Sequence, residues 1–321
     1  MHDRAGPLYM RHGEIYTGIY MKVKIWIHAF RLRTLPLSLS GVICASLLAA
    51  ADGQCRFSVA AFAVLTTLSL QILSNLANDY GDSVAGADTA GRIGPVRAVQ
   101  GGLVTHGAMK RMIAVFAAIS CVFGAFLIVS AFGFRRLPEI AAFGALGIAA
   151  VAAAVKYTVG ENPYGYKGFG DIFVLIFFGY AGLLGTYYLH AGVVAAPLLL
   201  PATSIGLLSV GVLNLNNMRD RENDAAGGKR TIAVKLGARK AKIYHAVLIV
   251  LVTASAAAYV YVRFHSYWQL LALAPCVPPA AHLRRVLAVD NPAGFDPELK
   301  KLSLATLFFA VVFGTVFLVW K

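Results

Sequence analysis

Long apolar runs without any charged residue dominate this chain and restrict the folds open to it. Nine runs occur, each near the roughly 20 residues that a helix needs to cross the hydrocarbon core of a bilayer. Because a spanning helix satisfies its own backbone hydrogen bonds, the pattern predicts an all-α membrane protein with nine transmembrane helices in one bundle. The runs lie at 35–51, 57–77, 112–134, 140–155, 172–192, 193–213, 243–262, 266–283 and 302–320.

The composition excludes a soluble protein of this length. Hydrophobic residues make up 58% of the 321 residues and charged residues 14%, whereas about 25% of an ordinary soluble domain is charged. A globule of this size could not bury so much apolar surface, so the rest must face lipid. The net charge of +14 would suggest nucleic acid in a soluble protein. In a membrane protein it follows from basic cytoplasmic loops, so we infer no nucleic-acid partner.

The distribution of basic residues predicts the orientation in the membrane. With nine spans, most of the 29 Lys and Arg fall on the side that carries the N-terminus, which is therefore predicted to be cytoplasmic. Residues 1–20 lack the apolar core of a signal peptide, and Met21 opens a short basic amphipathic segment. We expect a non-functional extension at 1–20 and a single transmembrane domain at 21–321. The basic residues on the opposite side are Arg56, Arg135, Arg136, Arg263 and Lys321.

Acidic residues concentrate in two short stretches, which follow the second and the sixth span. Each stretch places an Asn and an Asp four residues apart, and hence on one face of a helix. Carboxylate and amide oxygens suit Mg²⁺, which proteins hold through one or two carboxylates together with substrate phosphates. The candidate metal ligands are Asn78, Asp82 and Asp88 in the first stretch and Asn216, Asp220 and Asp224 in the second.

Basic residues interspersed with glycines come directly after both acidic stretches. Such cations and the backbone amides around them can hold the charge of a metal-bridged diphosphate. Charges that merely solvate cytoplasmic loops are the alternative, and the occurrence of the same motif twice disfavours it. The repetition also predicts two related helical halves that face each other across one cavity. The basic residues in question are Arg92, Arg97, Lys229 and Arg230.

A third segment, 157–171, is rich in Tyr, Gly and Pro. Irregular backbone of this kind is tolerated at membrane depth where it lines a cavity. Tyrosine at a membrane interface commonly anchors the protein, whereas a ring face inside a cavity stabilises a cation, and both interpretations remain open. The candidates are Tyr157, Tyr164 and Tyr166 for an allylic cation and Lys156 or Lys167 for a phosphate.

In these motifs the sequence resembles the UbiA superfamily of intramembrane aromatic prenyltransferases, and within it the 1,4-dihydroxy-2-naphthoate polyprenyltransferases of menaquinone synthesis. Four motifs in the same order carry the resemblance, which covers nearly all of the chain after Met21. They are RTLPLSLSGVI at 33–43, NDYGDSVAGADTAGRIGPVRAVQGG at 78–102, YTVGENPYGYKGFGD at 157–171 and NLNNMRDRENDAAGGKRTIAVKLG at 214–237.

The resemblance implies a nine-helix bundle around a central cavity that is open sideways to lipid and capped by cytoplasmic loops after helices two and six. It implies transfer of a polyprenyl group from polyprenyl diphosphate to 1,4-dihydroxy-2-naphthoate with loss of CO₂, giving demethylmenaquinone, in the bacterial inner membrane. Mg²⁺ is the implied cofactor, the two substrates and membrane lipid are the implied partners, and no obligate protein partner is inferred.

By the same resemblance the six candidate metal ligands keep that role, although Gly86 stands where the wider superfamily often has its next aspartate. The diphosphate ligands that the resemblance implies are Arg92, Arg97, Arg219 and Lys229, and the residues of the third segment themselves add Lys167 as a candidate. Together these considerations give Asp82, Asp220, Asp224, Lys229 and Tyr157 as the candidate catalytic residues, of which Tyr157 comes from the third segment's own chemistry.

Other interpretations remain open at this point. Within the superfamily the acceptor could instead be 4-hydroxybenzoate, homogentisate, haem or chlorophyllide. A transporter is disfavoured because no predicted span carries Lys, Arg, Asp or Glu in its apolar part, whereas transport pathways usually contain ionisable residues at depth. Asp79 and Asp171 are candidates for taking the phenolic proton of the acceptor.

Overall fold

The computed structural model describes residues 18–86, 93–94 and 97–320, and within these ranges it contains helices and no β-strand. A π-helix, Leu175–Gly185, joins α6 to α7. Short 3-10 segments at Leu32–Thr34, Tyr164–Lys167, Ala196–Leu198, Tyr267–Cys276 and Pro292–Gly294 connect other helices. The α-helices are α1 Gly18–Ala29, α2 Leu35–Ala51, α3 Phe57–Val84, α4 His106–Phe132, α5 Leu137–Lys156, α6 Gly170–Val174, α7 Thr186–Ala191, α8 Leu199–Arg219, α9 Arg221–Ala226, α10 Ile232–Val262, α11 Val277–Leu287 and α12 Phe295–Val319.

Eight segments of the described chain are long and apolar enough to cross a membrane, which confirms the predicted all-α membrane fold. The ninth predicted span, 266–283, consists of the 3-10 helix Tyr267–Cys276 and the first part of α11. Prolines at 275, 278 and 279 remove backbone donors there and disfavour one continuous α-helix. The count of nine spans therefore stays a prediction. The eight segments are Val23–Ala51, Phe57–Val84, His106–Phe132, Leu137–Lys156, Gly170–Ala191, Ala196–Arg219, Ile232–Val262 and Pro292–Val319.

The central helix of the bundle is α8, whose residues are mostly buried against α10, α12 and the π-helix. Small residues allow the close approach, as is usual between membrane helices. A Cβ atom on Gly179 of the π-helix would lie 2.9 Å from the Cα atom of Gly206 in α8. By contrast, α5 lies at the periphery and has no fully buried residue. Its Ile148 side chain is 69% exposed, as expected for a surface that faces lipid.

The last helix closes the bundle against the first membrane span. Gly314 of α12 packs directly on Leu47 of α2, and Ser303 donates a hydrogen bond of 3.2 Å to the carbonyl oxygen of Arg33. The carboxylate of Asp296, near the start of α12, contacts the guanidinium groups of both Arg33 and Arg219. One carboxylate thus joins the entry to α2 with the end of α8.

Polar residues gather at the two opposite ends of the bundle. At one end Asp52, which follows α2, accepts hydrogen bonds of 2.7 Å from Arg263, which follows α10, and from Tyr187 of α7. The two acidic stretches meet at the other end. Segments that the alternating topology predicts on one side of the membrane are therefore found together.

Candidate active site

A cavity of about 410 Å³ extends into the bundle from the end where the two acidic stretches meet. Its walls come mainly from α2, α3, α4, α5, α7, α8 and the π-helix. The deep part is apolar and includes Val42, Ala63, Phe143 and Leu189. Such a cavity suits a ligand with a charged head and a hydrocarbon tail. The polar residues at its mouth are Asn78, Asp82, Arg97, Asn216, Asp220, Asp224 and Lys229.

The carboxylate of Asp82 is the best-connected acid at the mouth. Because α3 continues beyond its apolar part to Val84, Asn78 and Asp82 share one face of the helix, as the spacing predicts. Asp82 accepts from Arg97 Nη2 at 2.6 Å, from Lys229 Nζ at 2.8 Å and from Tyr166 Oη at 2.7 Å. Its side chain is only 3% exposed, so these donors replace water around an ionised carboxylate.

The second acidic stretch contains a break at Asp220, the residue that separates α8 from α9. The predicted alignment survives because backbone hydrogen bonds continue across the break. The Asp220 amide donates to the Asn216 carbonyl at 3.0 Å, and the Asp224 amide donates to the Asp220 carbonyl at 2.8 Å. Asp224 Oδ1 lies 3.6 Å from Lys229 Nζ. Lys229 therefore links the second stretch to Asp82 of the first.

The chemistry of these donors fits a divalent cation. Burial raises the pKa of Asp224 to about 6; Lys229 lowers it, while Asp220 and Asp82 raise it further. A cation bound beside Asp224 would favour its ionised form. No group of three His, Cys, Asp or Glu surrounds a single point within the described residues. A few carboxylate and amide oxygens suit Mg²⁺, because phosphate oxygens and water complete its coordination.

Two of the predicted diphosphate ligands reach the cavity. Arg97 and Lys229 both line the mouth, and Arg97 also donates from Nη1 to the Asn78 carbonyl oxygen at 2.9 Å. Their positions are fixed by Asp82 before any ligand arrives. The predicted metal ligand Asp88 and the predicted diphosphate ligand Arg92 lie outside the described residues.

Arg219 and Lys167 do not line this cavity, contrary to expectation. The Arg219 side chain is fully buried and donates to both carboxylate oxygens of Asp220, at 2.8 and 2.7 Å, as well as to Asn216 Oδ1 at 2.8 Å. With Asp296 as a further partner, its guanidinium orients Asp220 rather than facing a ligand. Lys167 ends the tight 3-10 turn Tyr164–Lys167, and its side chain is exposed.

Tyr157 does line the cavity, as predicted. Its ring packs edge-to-face on Tyr164, with 5.3 Å between the centroids. Gly165 permits this arrangement, since a Cβ atom there would lie 2.7 Å from the Tyr157 carbonyl oxygen. Burial raises the pKa of Tyr157 far above its ordinary value. Tyr157 is therefore a neutral phenol that offers a ring face, the part that attracts a cation.

The structure also assigns contacts that no sequence pattern indicates. Thr158 donates to the Ala77 carbonyl at 3.0 Å and lies 3.2 Å from Asn78 Oδ1, which fixes the third segment against α3.

Asp79 and Asp171, the candidates for taking the phenolic proton, form hydrogen bonds elsewhere in the protein. Asp79 accepts from the Ala98 amide at 2.9 Å, and Asp171 accepts from the Tyr244 hydroxyl at 2.8 Å. Neither of these carboxylates lines the cavity.

Comparison with known sequences identifies the family to which a chain with this site is similar. Residues 38–300 match the model of the UbiA prenyltransferase family. The 1,4-dihydroxy-2-naphthoate octaprenyltransferase of Haemophilus influenzae is 39% identical over 295 residues, which cover 91% of this chain and 95% of that protein. The enzyme of the same name from Escherichia coli is 38% identical over 292 residues, covering 91% and 94%.

Solved structures show the same fold. A UbiA homolog from Aeropyrum pernix superimposes with a TM-score of 0.63 at 15% identity, covering 91% of this chain and 98% of that one. A UbiA homolog from Archaeoglobus fulgidus, bound to DMAPP and Mg²⁺, gives a TM-score of 0.55 at 15% identity, covering 87% and 98%.

Proposed function

This chain belongs to the UbiA prenyltransferase family and is an integral membrane enzyme; we propose that it transfers a polyprenyl group from polyprenyl diphosphate to 1,4-dihydroxy-2-naphthoate. Two enzymes named 1,4-dihydroxy-2-naphthoate octaprenyltransferase match it over nearly their whole length. The observation that carries the proposal is the contact of Lys229 with both Asp82 and Asp224, which joins two distant motifs at the charged mouth of an apolar cavity.

In this proposal Mg²⁺ is held by Asp82, Asp220 and Asp224 together with the side-chain oxygens of Asn78 and Asn216. When bound, Mg²⁺ neutralises charge on the departing diphosphate. Arg97 and Lys229 supply further positive charge at the mouth. Because Asp82 already fixes both cations, little reorganisation is needed when the diphosphate arrives.

The transfer of the prenyl group to the ring needs no general base. The carbon–oxygen bond of the prenyl diphosphate breaks and its electron pair leaves with diphosphate. The ring carbon that bears the carboxylate then bonds to the allylic cation. Loss of that carboxylate as CO₂ returns an electron pair to the ring and gives the quinol form of demethylmenaquinone. The proposal accordingly gives Asp79 and Asp171 structural roles, in keeping with their hydrogen bonds.

Two features of the cavity protect the allylic cation in this scheme. The ring of Tyr157 presents a π face, and the apolar walls formed by α5 and the π-helix exclude water that would otherwise capture the cation. We further propose that the mouth and the N-terminus face the cytoplasm, that the membrane is the bacterial inner membrane, and that residues 21–321 form the functional domain.

The acceptor is tested by incubating the purified protein with one polyprenyl diphosphate, Mg²⁺ and each of three acceptors. We expect prenylation and CO₂ release with 1,4-dihydroxy-2-naphthoate and no product with 4-hydroxybenzoate or homogentisate. Product from either of the latter at a comparable rate would overturn the proposed acceptor.

The metal assignment is tested with Asp224→Asn and a matched control, Glu222→Gln, two residues away on the same short helix. The Glu222 side chain is 81% exposed and belongs to no part of the cavity. We expect Asp224→Asn to lower the rate at least 100-fold and to raise the Mg²⁺ concentration needed for half-maximal activity, while the control behaves like the wild type. Unchanged Mg²⁺ dependence in Asp224→Asn contradicts the assignment.

A further inference from the structure

A polar patch interrupts the apolar wall of the cavity below its charged mouth. It consists of Gln71 and Asn75 on α3 and Thr34 at the entry to α2, all of which line the cavity. Gln71 precedes Asn78 by seven residues, or about 10 Å along the helix. In cavities of this kind, a few fixed polar groups among apolar ones orient the ligand.

The direction of every hydrogen bond in this patch is fixed by two backbone carbonyls. Arg31 adopts a left-handed conformation, with φ of 51°, in the break between α1 and α2. The carbonyl groups on either side of this turn lie past the end of α1 and accept side-chain donors. Asn75 Nδ2 donates to the Phe30 carbonyl at 2.9 Å, and the Thr34 hydroxyl donates to the Arg31 carbonyl at 2.9 Å.

These two anchors determine how Gln71 is oriented. Since the Asn75 amide nitrogen faces the Phe30 carbonyl, its Oδ1 must act as an acceptor. Gln71 Nε2 donates to that Oδ1 at 3.2 Å and also to Thr34 Oγ1 at 3.4 Å. The amide nitrogen of Gln71 is therefore engaged on the side of α1 and α2. Gln71 Oε1 is left as an acceptor that has no partner among the residues described.

We propose that Gln71 Oε1 accepts a hydrogen bond from a ring hydroxyl of the aromatic substrate and thereby helps to select it. This inference rests on the proposed function and goes beyond it by naming a group that distinguishes acceptors. Of the two substrates only the hydroxylated ring carries a hydrogen-bond donor, because the prenyl chain has none and the diphosphate binds as an anion. A hydrogen bond accepted from the hydroxyl also increases electron density on the ring that attacks the allylic cation.

The inference is tested with two substrate analogues, 1-hydroxy-2-naphthoate and 4-hydroxy-2-naphthoate, each of which lacks one ring hydroxyl. Their inhibition constants are measured against 1,4-dihydroxy-2-naphthoate in the wild type and in Gln71→Leu. In the wild type we expect the analogue that keeps the bonded hydroxyl to bind about five- to tenfold more tightly, the effect of one hydrogen bond. In Gln71→Leu we expect the two constants to become equal, with KM for polyprenyl diphosphate unchanged.

Matched variants separate this role from a structural one. Thr67→Val removes a cavity-lining hydroxyl one turn deeper on α3 and is expected to keep the wild-type ratio of inhibition constants. If Gln71→Leu does not accumulate, Gln71→Met replaces it. Equal constants in the wild type, or the same ratio in the wild type and in Gln71→Leu, would overturn the inference. Failure of the wild type to prenylate the naphthoate would instead overturn the proposed function.

Discussion

Replacement of Asp82 by Asn is expected to destabilise the protein as well as inactivate it. The Asp82 carboxylate lies between Arg97 and Lys229, and the three side chains are 3%, 8% and 11% exposed. Loss of the negative charge deprives two buried cations of the carboxylate that they share, although Asp224 Oδ1 still lies 3.6 Å from Lys229 Nζ. Removing one partner of a buried ion pair typically costs about 3–5 kcal/mol. At roughly 2–4 °C per kcal/mol, the apparent unfolding temperature should fall by roughly 6–20 °C.

The matched control is Asp52→Asn at the opposite end of the bundle. Asp52 also pairs with an arginine, Arg263, at 2.7 Å, but the two side chains are 25% and 30% exposed. Water can solvate the remaining cation there, so about 1 kcal/mol or less is expected. The assay is thermal unfolding of the purified protein in detergent, followed by tryptophan fluorescence. Equal decreases for the two variants would show that burial of Asp82 is not the cause and would refute the reasoning.

A second measurement on the same samples addresses the metal. A ligand that binds only the folded protein stabilises it by about 2.7 kcal/mol when present at 100 times its dissociation constant. Mg²⁺ with inorganic diphosphate should therefore raise the unfolding temperature of the wild type and of Asp52→Asn, and leave that of Asp82→Asn unchanged.

Two further predictions concern the surroundings of the mouth. Gly81→Ala should abolish activity while the protein still inserts in membranes. The new Cβ would lie 2.5 Å from the Thr158 carbonyl oxygen and would push the third segment away from α3. Wild-type rates in membrane fractions would contradict this expectation. Lys167→Ala should leave KM for polyprenyl diphosphate within about twofold, whereas Lys229→Ala should raise it at least tenfold; comparable increases in both variants would place Lys167 at the diphosphate after all.

Much of the fold and of the site follows from local sequence patterns. Apolar length alone predicts the eight spans that the structure contains. The four-residue spacing correctly predicts that Asn78 and Asp82 share a face, because α3 stays helical beyond its apolar part. Carboxylates followed by basic residues in both stretches likewise predict that Asp82, Asp224 and Lys229 lie in one site. Opposite charges attract each other strongly where little water is present, as at the mouth of the cavity.

What local patterns did not predict depends on residues far apart in the chain. Arg219 resembles a phosphate ligand until α12 brings Asp296 against it, which turns the guanidinium away from the cavity. Lys167 points outward because of a tight turn whose geometry its own charge does not reveal. No sequence pattern indicates that Gln71 belongs to a site, because its orientation depends on carbonyl groups exposed by the left-handed turn at Arg31.

The contact of Asp296 with Arg33 and Arg219 has a consequence for the biogenesis of the enzyme. Among the described helices α12 is the last in chain order, so during synthesis the guanidinium that orients Asp220 lacks its Asp296 anchor until α12 has been made. The charged mouth can therefore reach the arrangement described above only after α12 has packed against α2 and α8. A chain that stops before α12 would contain both acidic motifs and still lack the carboxylate of Asp296 that anchors Arg219 beside Asp220.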